Sequence, residues 1–288
     1  MHNTRYDYLP GIKRERIRWP GDAVLAVWVC PNIEYFHFDL PVPGGAGPVP
    51  DVHTYSHRDY GSRVGVFRLM KVLDQYGIRA SVLLNAEVCD HHPDIIEEGN
   101  KRNWEWLGHG LTNSVWMSQY PSEEERGIIR EVRDKLTAGT QTVPKGWLGP
   151  GLAETFNTPD HLASEGFEYV CDWACDDQPV PMRVENGRLI AMPYQQGIND
   201  MTIFMRGQQT PDQYLRAVCD QFDTLYSESA ESGKVMALPL HPFVIGLPFR
   251  IGYLGKALDY ISSKKGVWFA TGGEIAEWYY EHYYKRPV

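Results

Sequence analysis

Apolar runs alternate with amphipathic stretches along the chain, and this alternation predicts a mostly parallel sheet covered by helices. The apolar runs have the length and residue types of buried strands: AVLAVWVCP, ASVLLN, WEWLG, IAMPY, VMALPL and VWFAT. Amphipathic stretches such as GVFRLMKVLDQYG and TPDQYLRAVCDQFDTLYSES place apolar residues at helical spacing. Counting about seven strands with helices between most of them, we predict an α/β fold, a single distorted (β/α) barrel.

One domain is expected to span residues 1–288, because no linker separates two halves. Residues 1–22 are expected to form an N-terminal extension that packs on the barrel. Residues 37–60 are dense in Pro, Gly and His and are predicted to be a long loop. Its polar residues could form a lid over a site or a solvated surface: His53, His57, Arg58 and Asp59.

Charge and composition exclude several classes of partner. The 28 basic and 37 acidic residues give a net charge of −9, and no dense Lys/Arg run indicates nucleic-acid binding. No apolar run approaches the ~20 residues that cross a bilayer, so no membrane contact is expected. The polar N-terminus lacks a signal-peptide core, and five irregularly spaced cysteines favour reduced thiols. We therefore expect a cytoplasmic protein that acts on a small-molecule substrate.

Conspicuous polar side chains follow the predicted strands, where a barrel fold brings them to one face. Asn32 and Glu34 follow the first strand, His109 and Asn113 follow WEWLG, and His241 follows VMALPL. Glu34 could bond to backbone, bind a metal, or orient and activate water. Each histidine could be a satisfied structural residue or a catalytic acid or base. We select Glu34, His109 and His241 as the candidate catalytic residues.

Further polar and aromatic residues are candidates for substrate binding. Asp176 and Asp177 are adjacent, so their side chains are expected to point different ways, with one binding substrate. Trp147 and Glu154, in GWLGPGLAE, join Asn32 and Asn113 in this set. No GxGxxG, Walker A, GxSxG or HExxH pattern occurs, so nucleotide-binding and serine-hydrolase functions have no motif support.

Several stretches of this chain resemble the polysaccharide deacetylase superfamily (carbohydrate esterase family 4), and in particular its allantoinase and cyclic imide hydrolase branch. The resemblance covers nearly the whole chain. Its most specific stretches are RDYGSRVGVFR, the GHG around His109, CDWACDDQP, AMPY with Asn199 and Asp200 behind it, and LHPFVIGLPFR. It implies a distorted barrel with fewer than eight strands that hydrolyses a non-peptide C–N bond.

The resemblance also implies roles for individual residues. Classical deacetylases end the first strand in two Asp residues, and here Asn32 stands at the base position and Glu34 at the metal-ligand position. The classical His-x-x-x-His metal pair is replaced by His109 and Asn113. His241 matches the C-terminal catalytic histidine. Zinc or another divalent ion, bound by Glu34, His109 and Asn113, is thus one possibility, and a metal-independent enzyme is the other.

Glu154 lies in the segment where the classical family carries an arginine. The resemblance further implies a homo-oligomer, and the aromatic tail EIAEWYYEHYY could be buried in a subunit contact or cover the barrel end.

Three hypotheses for function follow. The first is a hydrolase that opens a cyclic amide, ureide or imide ring, with Glu34 and His109 positioning water and His241 protonating the leaving nitrogen. The second is a metal-dependent deacetylase of an acetylated sugar. The third is a non-catalytic binding protein on the same scaffold, motivated by the asparagines at positions 32 and 113.

Overall fold

Nine strands form one curled sheet in this computed structural model, which describes residues 3–42 and 48–287. Eight strands are parallel, and β6 is antiparallel to β7 at one edge. The order is β6-β7-β5-β4-β3-β2-β1-β8, and β9 also pairs with β1. The strands are β1 Leu25–Ile33, β2 Ser81–Leu84, β3 Glu105–Gly108, β4 Gly146–Trp147, β5 Tyr169–Val170, β6 Val180–Met182, β7 Leu189–Ala191, β8 Lys234–Leu240 and β9 Val267–Phe269.

Side-chain hydrogen bonds join the segment after β7 to β8. Gln195, which follows β7, donates from Nε2 to the carbonyl of Val235 at 2.9 Å and accepts from the amide of Ala237 at 2.6 Å. Both partners lie in β8, so an amide side chain contributes to the contact between the two sides of the curled sheet. The predicted distorted barrel is confirmed, although the strands outnumber the seven expected because several are only two or three residues long.

Ten α-helices are assigned in the described residues, and they include all the helices predicted from apolar spacing. They are α1 Val52–Tyr60, α2 Val66–Gln75, α3 Val88–His91, α4 Pro93–Lys101, α5 Ser122–Thr140, α6 Thr158–Ser164, α7 Pro211–Glu228, α8 Pro242–Ile245, α9 Pro248–Ser262 and α10 Gly272–His282. None is long and apolar enough to cross a membrane.

The predicted loop 37–60 contains the helix α1, which the sequence pattern missed. The Asp51 side chain caps it by accepting from the amide of Thr54 at 3.0 Å. No residue of α1 is fully buried, so it lacks the apolar stripe by which helices are recognised. Residues 43–47 of the predicted loop lie outside the described residues.

Helices α1 and α2 form one continuous helical segment through a π-helical stretch, Gly61–Gly65. The segment packs against the turn that follows β8. A Cβ atom on Gly61 would lie 2.6 Å from the amide of Phe243, and one on Gly65 would lie 2.1 Å from the carbonyl oxygen of Pro242. The two glycines therefore permit a backbone contact that any side chain would block.

The sheet separates two hydrophobic cores. One face of β1 presents Leu25, Val27 and Val29 to the layer of covering helices. The other face presents Ala26, Trp28 and Cys30 to the barrel interior, where Trp19 of the N-terminal segment and Tyr279 of α10 also pack. This alternation fixes which side of β1 each later residue faces, and it places Asn32 on the interior side.

Candidate active site

Three side chains converge at the carboxyl ends of the parallel strands. Glu34 directly follows β1, His109 directly follows β3 and His241 directly follows β8. The Glu34 Oε1 atom lies 3.6 Å from His109 Nε2 and 3.7 Å from His241 Nε2. All three side chains are at least nine-tenths buried. The sequence argument from strand ends therefore selected side chains that the structure brings into one cluster.

The other ring nitrogen of each histidine is held by a fixed partner. His109 Nδ1 lies 2.7 Å from the carbonyl oxygen of Leu148, which can only accept, so Nδ1 carries the proton. His241 Nδ1 lies 2.7 Å from Asp200 Oδ1, and the His241 backbone amide donates to Asp200 Oδ2 at 2.7 Å. Both Nε2 atoms are thereby oriented toward Glu34.

Burial and charge act in opposite directions on the ionisation of this cluster. Burial alone would raise the pKa of Glu34, but the contact with His109 and the positive charges of His241 and Arg58 outweigh burial and lower this pKa. Burial alone would lower the pKa of His241, yet the carboxylates of Asp200 and Glu34 raise it. The shifts widen the pH range in which a Glu34 carboxylate faces a protonated His241.

Asn32 and Asn113 occupy different environments beside the cluster. Asn32 is 2% exposed and donates to the Tyr194 hydroxyl at 3.0 Å and to the Leu240 carbonyl at 3.2 Å. It therefore connects the carboxyl end of β1 to that of β8, next to His241. The amide of Asn113 donates to the Tyr35 carbonyl at 2.9 Å, and its side-chain Oδ1 is buried with no hydrogen-bond partner in the described part of the chain.

Glu154 belongs to a pair of buried carboxyl groups on the His109 side of the site. Burial and the neighbouring Asp172 carboxylate raise the pKa of Glu154 well above its usual range. Burial also raises the pKa of Asp172 to about 6, against hydrogen bonds from Glu154 and the Gly149 amide and the charge of His109. Trp173 Nε1 donates to Glu154 Oε2 at 2.8 Å. Burial and the repulsion between the two carboxylates therefore favour the neutral acid form of Glu154.

Known proteins resemble the chain in both sequence and fold. A family model for polysaccharide deacetylase matches residues 48–170. The crystal structure of PuuE allantoinase is 28% identical with a TM-score of 0.85, covering 97% of this chain and 100% of its own. The chain therefore resembles the polysaccharide deacetylase superfamily, in sequence over the matched residues and in fold over nearly its whole length. A structure from Pseudomonas aeruginosa PAO1 named as a polysaccharide deacetylase is also 28% identical, covering 95% of this chain and 96% of its own at a TM-score of 0.85.

A Schizosaccharomyces pombe protein, also named as a polysaccharide deacetylase, is 25% identical over 268 residues, which are 85% of this chain and 82% of that protein. The family resemblance stated from the motifs is confirmed by these matches. They indicate a hydrolase of the polysaccharide deacetylase type and leave its substrate to be proposed.

The donors at the site do not complete the metal-binding set expected of this superfamily. No group of three or more His, Cys, Asp or Glu side chains within residues 3–42 and 48–287 is arranged to hold a metal ion. Glu34 and His109 are adjacent, and the free Oδ1 of Asn113 is a weak ligand. The protein's own acid, base and water chemistry is therefore the basis of the mechanism, and metal dependence stays a prediction.

Asp176 and Asp177, predicted to bind substrate, lie away from this cluster, which corrects that prediction. Asp176 forms an ion pair with Arg14, and the Asp177 carbonyl accepts from the amide of Val235 at 2.8 Å. Val235 is near the amino end of β8, about 20 Å from His241 at ~3.3 Å per residue. The segment after β5 crosses to the opposite end of the barrel, so both residues follow a strand in sequence without lining its carboxyl end.

Trp147, also predicted to bind substrate, is a core residue, and that prediction too is corrected. Its side chain is completely buried on the helix side of the sheet, where it packs edge-on against Phe167 with ring centroids 5.4 Å apart. It also covers Gly108, where a Cβ atom would lie 2.5 Å from the indole ring. In parallel strands buried on both faces, apolar residues alone do not show which face lines the site.

Two functional side chains escaped the sequence analysis. Asp200, which holds His241, was noted only as part of the family resemblance, because it follows a short turn and not a strand. Arg58 was grouped with the polar residues of the predicted loop. The signal that could have found Asp200 is the Asn-Asp pair behind the AMPY strand.

Proposed function

We propose that this protein is a hydrolase of non-peptide C–N bonds that opens a cyclic amide, ureide or imide ring. The observation that carries the proposal is the position of Glu34 Oε1, 3.6 and 3.7 Å from two oriented histidine Nε2 atoms. A carboxylate base and a protonated imidazole acid, side by side in a buried site, are the two groups that amide hydrolysis requires.

Glu34 acts as the base in this mechanism. A water molecule bound between Glu34 and His109 donates one proton to Glu34 while its oxygen bonds to the ring carbonyl carbon. His109 accepts a hydrogen bond from the same water through Nε2, because its Nδ1 proton is committed to Leu148. The fixed tautomer orients a lone pair of the water oxygen toward the substrate.

His241 acts as the acid. The tetrahedral intermediate collapses by breaking the C–N bond, and His241 Nε2 gives its proton to the departing nitrogen. Asp200 keeps the His241 ring oriented and its positive charge compensated until that transfer. Glu34 then returns its proton to neutral His241 across their 3.7 Å contact, so both groups are restored for the next turnover.

A cyclic amide, ureide or imide is the favoured substrate because the departing nitrogen stays tethered and, in a ureide or imide, its charge is delocalised. This makes its departure less demanding than that of a simple amine, so acid–base chemistry alone is sufficient. The similarity to PuuE allantoinase, over the full length of that structure, supports the same substrate class.

Metal-dependent deacetylation of an acetylated sugar is the second candidate. The equal identity of 28% to the Pseudomonas aeruginosa structure named as a polysaccharide deacetylase supports it. In that case acetate is released, and the activity depends on an added divalent ion.

The test is a hydrolysis screen of purified protein. Proton release is followed on allantoin, hydantoin and succinimide, and acetate release on N-acetylglucosamine oligomers, each with EDTA and with added zinc. Ring opening that survives EDTA supports the first function, whereas zinc-dependent acetate release supports the second. Tight binding of a ring compound without turnover refutes both and supports a non-catalytic protein.

Two variants then test the assigned roles. Glu34→Ala and His241→Ala are each expected to lower kcat about 10²–10⁴-fold, the usual contribution of a positioned acid or base. Glu231→Ala, at an exposed position after α7, is the matched control and should retain full activity. Near-normal activity of either site variant, with an unchanged melting temperature, contradicts the role assigned to that residue.

We further propose that the enzyme works in the cytoplasm as a homo-oligomer on a small-molecule substrate. All five cysteines are free thiols, which supports a reducing compartment. The tyrosines of the α10 segment support an aromatic subunit contact, since Tyr280, Tyr283 and Tyr284 are only partly buried. Sedimentation analysis tests the assembly, and a monomer at all concentrations would contradict it.

A further inference from the structure

Arg58 has hydrogen-bond donors that the protein does not satisfy. Its Nε–H is buried and has no hydrogen-bond partner in the described part of the chain. The one hydrogen bond assigned to its guanidinium there is a long one, 3.4 Å from Nη1 to the carbonyl of Thr54. No carboxylate of the described residues lies within ion-pair distance of Arg58. A buried N–H group without an acceptor lowers the stability of the fold, so the position of Arg58 needs a functional explanation.

Aromatic rings from the two catalytic segments hold the guanidinium in place. Its central carbon lies 4.6 Å from the centroid of the Phe36 ring and 5.3 Å from that of the Phe243 ring. Phe36 follows Glu34 by two residues, and Phe243 follows His241 by two residues. Cation–π contacts on both rings fix the arginine relative to the acid and the base.

Arg58 and Glu34 line the same small cavity. Its volume is about 20 Å³, and Tyr55 and Ser62 also line it. Burial lowers the pKa of Arg58, whereas the negative charges of Glu34 and Asp51 raise it. A permanently charged, partly dehydrated guanidinium therefore stands beside the base of the proposed reaction.

Ring opening changes the charge of the reacting carbonyl group. The substrate carbonyl is neutral and its tetrahedral intermediate carries an oxyanion. Collapse of the intermediate gives a carboxylic acid, which releases the second proton of the attacking water to solvent and becomes a carboxylate. A guanidinium is matched to a carboxylate in charge, planarity and donor geometry. It can therefore distinguish the product acid from a neutral molecule of the same shape.

We propose that Arg58 binds the carboxylate that forms when the ring opens, so that the enzyme's substrates are rings whose opened form is an acid. This inference rests on the proposed ring-opening function and assigns Arg58 as a product-binding residue of that site. His241 protonates the nitrogen as the C–N bond breaks, and Arg58 then binds the carboxylate left when the new acid loses its proton to solvent, which holds the two ends of the opened ring apart.

The test measures product binding directly, without turnover. The probes are N-carbamoylglycine, the opened form of hydantoin, and its neutral amide, N-carbamoylglycinamide, each titrated into wild type and variants by calorimetry. Wild type is expected to bind the acid at least 10-fold more tightly than the amide. Arg58→Gln is expected to remove this preference and to weaken acid binding at least 10-fold. Arg58→Lys should retain part of the preference for the acid, because lysine keeps the positive charge but lacks the paired N–H donors of the guanidinium.

Arg63→Gln is the matched control, because Arg63 lies in the same helical segment with a side chain that is 73% exposed. It should bind both probes as wild type does. If Arg58→Gln keeps the preference for the acid, or wild type shows none, the inference is wrong whether or not rings are opened. If wild type opens no ring but still prefers the acid through Arg58, the ring-opening function fails and the carboxylate site stands. If Arg58→Gln does not fold, Arg58→Lys takes its place in the titrations. A reduced preference of Arg58→Lys for the acid supports the inference, and an unchanged preference contradicts it.

Discussion

Replacing Asp200 by asparagine tests whether a buried carboxylate sustains the charge of His241. The Asp200 side chain is fully buried and accepts two hydrogen bonds of 2.7 Å from His241, one from Nδ1 and one from the backbone amide. Asparagine has nearly the same shape but no charge. The change therefore removes the electrostatic stabilisation of the imidazolium and leaves the ring in nearly the same place.

The magnitude follows from the contacts. The Asp200 carboxylate raises the pKa of His241, while burial opposes it. A neighbouring opposite charge shifts a pKa by about 1–3 units, and each unit corresponds to ~1.4 kcal/mol. Without the Asp200 carboxylate, burial dominates and the pKa of His241 falls below its ordinary value. The alkaline limb of kcat/KM should then move down by about 1–3 pH units, because His241 must be protonated to act as the acid.

The assay is the pH dependence of kcat/KM from pH 5 to 10 on the ring compound found by the screen. Asp200→Asn should retain more of its activity at the acid end of this range than at the alkaline end. Asp223→Asn, where the carboxylate accepts hydrogen bonds from the Tyr260 hydroxyl at the surface, is the matched control and should leave the profile unchanged. A uniform loss at every pH, with the alkaline limb in its original place, would refute the assignment of His241 as the acid.

Three further changes test packing, charge and the extent of the site. Gly65→Ala should lower the free energy of unfolding by about 1–3 kcal/mol in urea titrations, because the added Cβ atom would collide with the Pro242 carbonyl. Gly255→Ala is the control and should not destabilise the protein, because the space around Gly255 is open. Arg130 and Arg126 lower the pKa of Glu165 to about 2, so this carboxylate should stabilise the fold fully above pH ~4.5. The stability difference between wild type and Glu165→Gln should accordingly shrink as the pH falls toward 2, and a constant difference would contradict this. Asp176→Asn should leave kcat/KM within twofold of wild type. A large loss would indicate that the substrate binds at the Asp176 end of the barrel, which would contradict the site assigned here.

The positions of Glu34, His109 and His241 could be predicted because each immediately follows a strand. The carboxyl ends of parallel strands meet at one edge of a sheet, so short-range sequence information is sufficient to bring these side chains together. The same argument failed for Asp176 and Asp177. They stand five or more residues beyond β5, where the chain has already crossed to the other end of the barrel.

The remaining features depend on contacts between segments far apart in sequence. Asp200 reaches His241 across 41 residues. Arg58 is placed by the rings of Phe36 and Phe243, and α1 has no apolar stripe to reveal it as a helix. Polar residues in a segment rich in Pro and Gly have the composition of a solvated loop, and only tertiary packing gives such a segment a fixed conformation.

The π-helical stretch 61–65 determines how α1 is rotated relative to α2. A π turn holds one residue more than an α turn, and one residue corresponds to ~100° of rotation about the helix axis. Deleting Ser62 would convert the stretch to regular α-helix and turn Arg58 away from Glu34, while α2 could keep its own packing. A single deleted codon would therefore remove the carboxylate preference of the site while Arg58 itself stays in the chain.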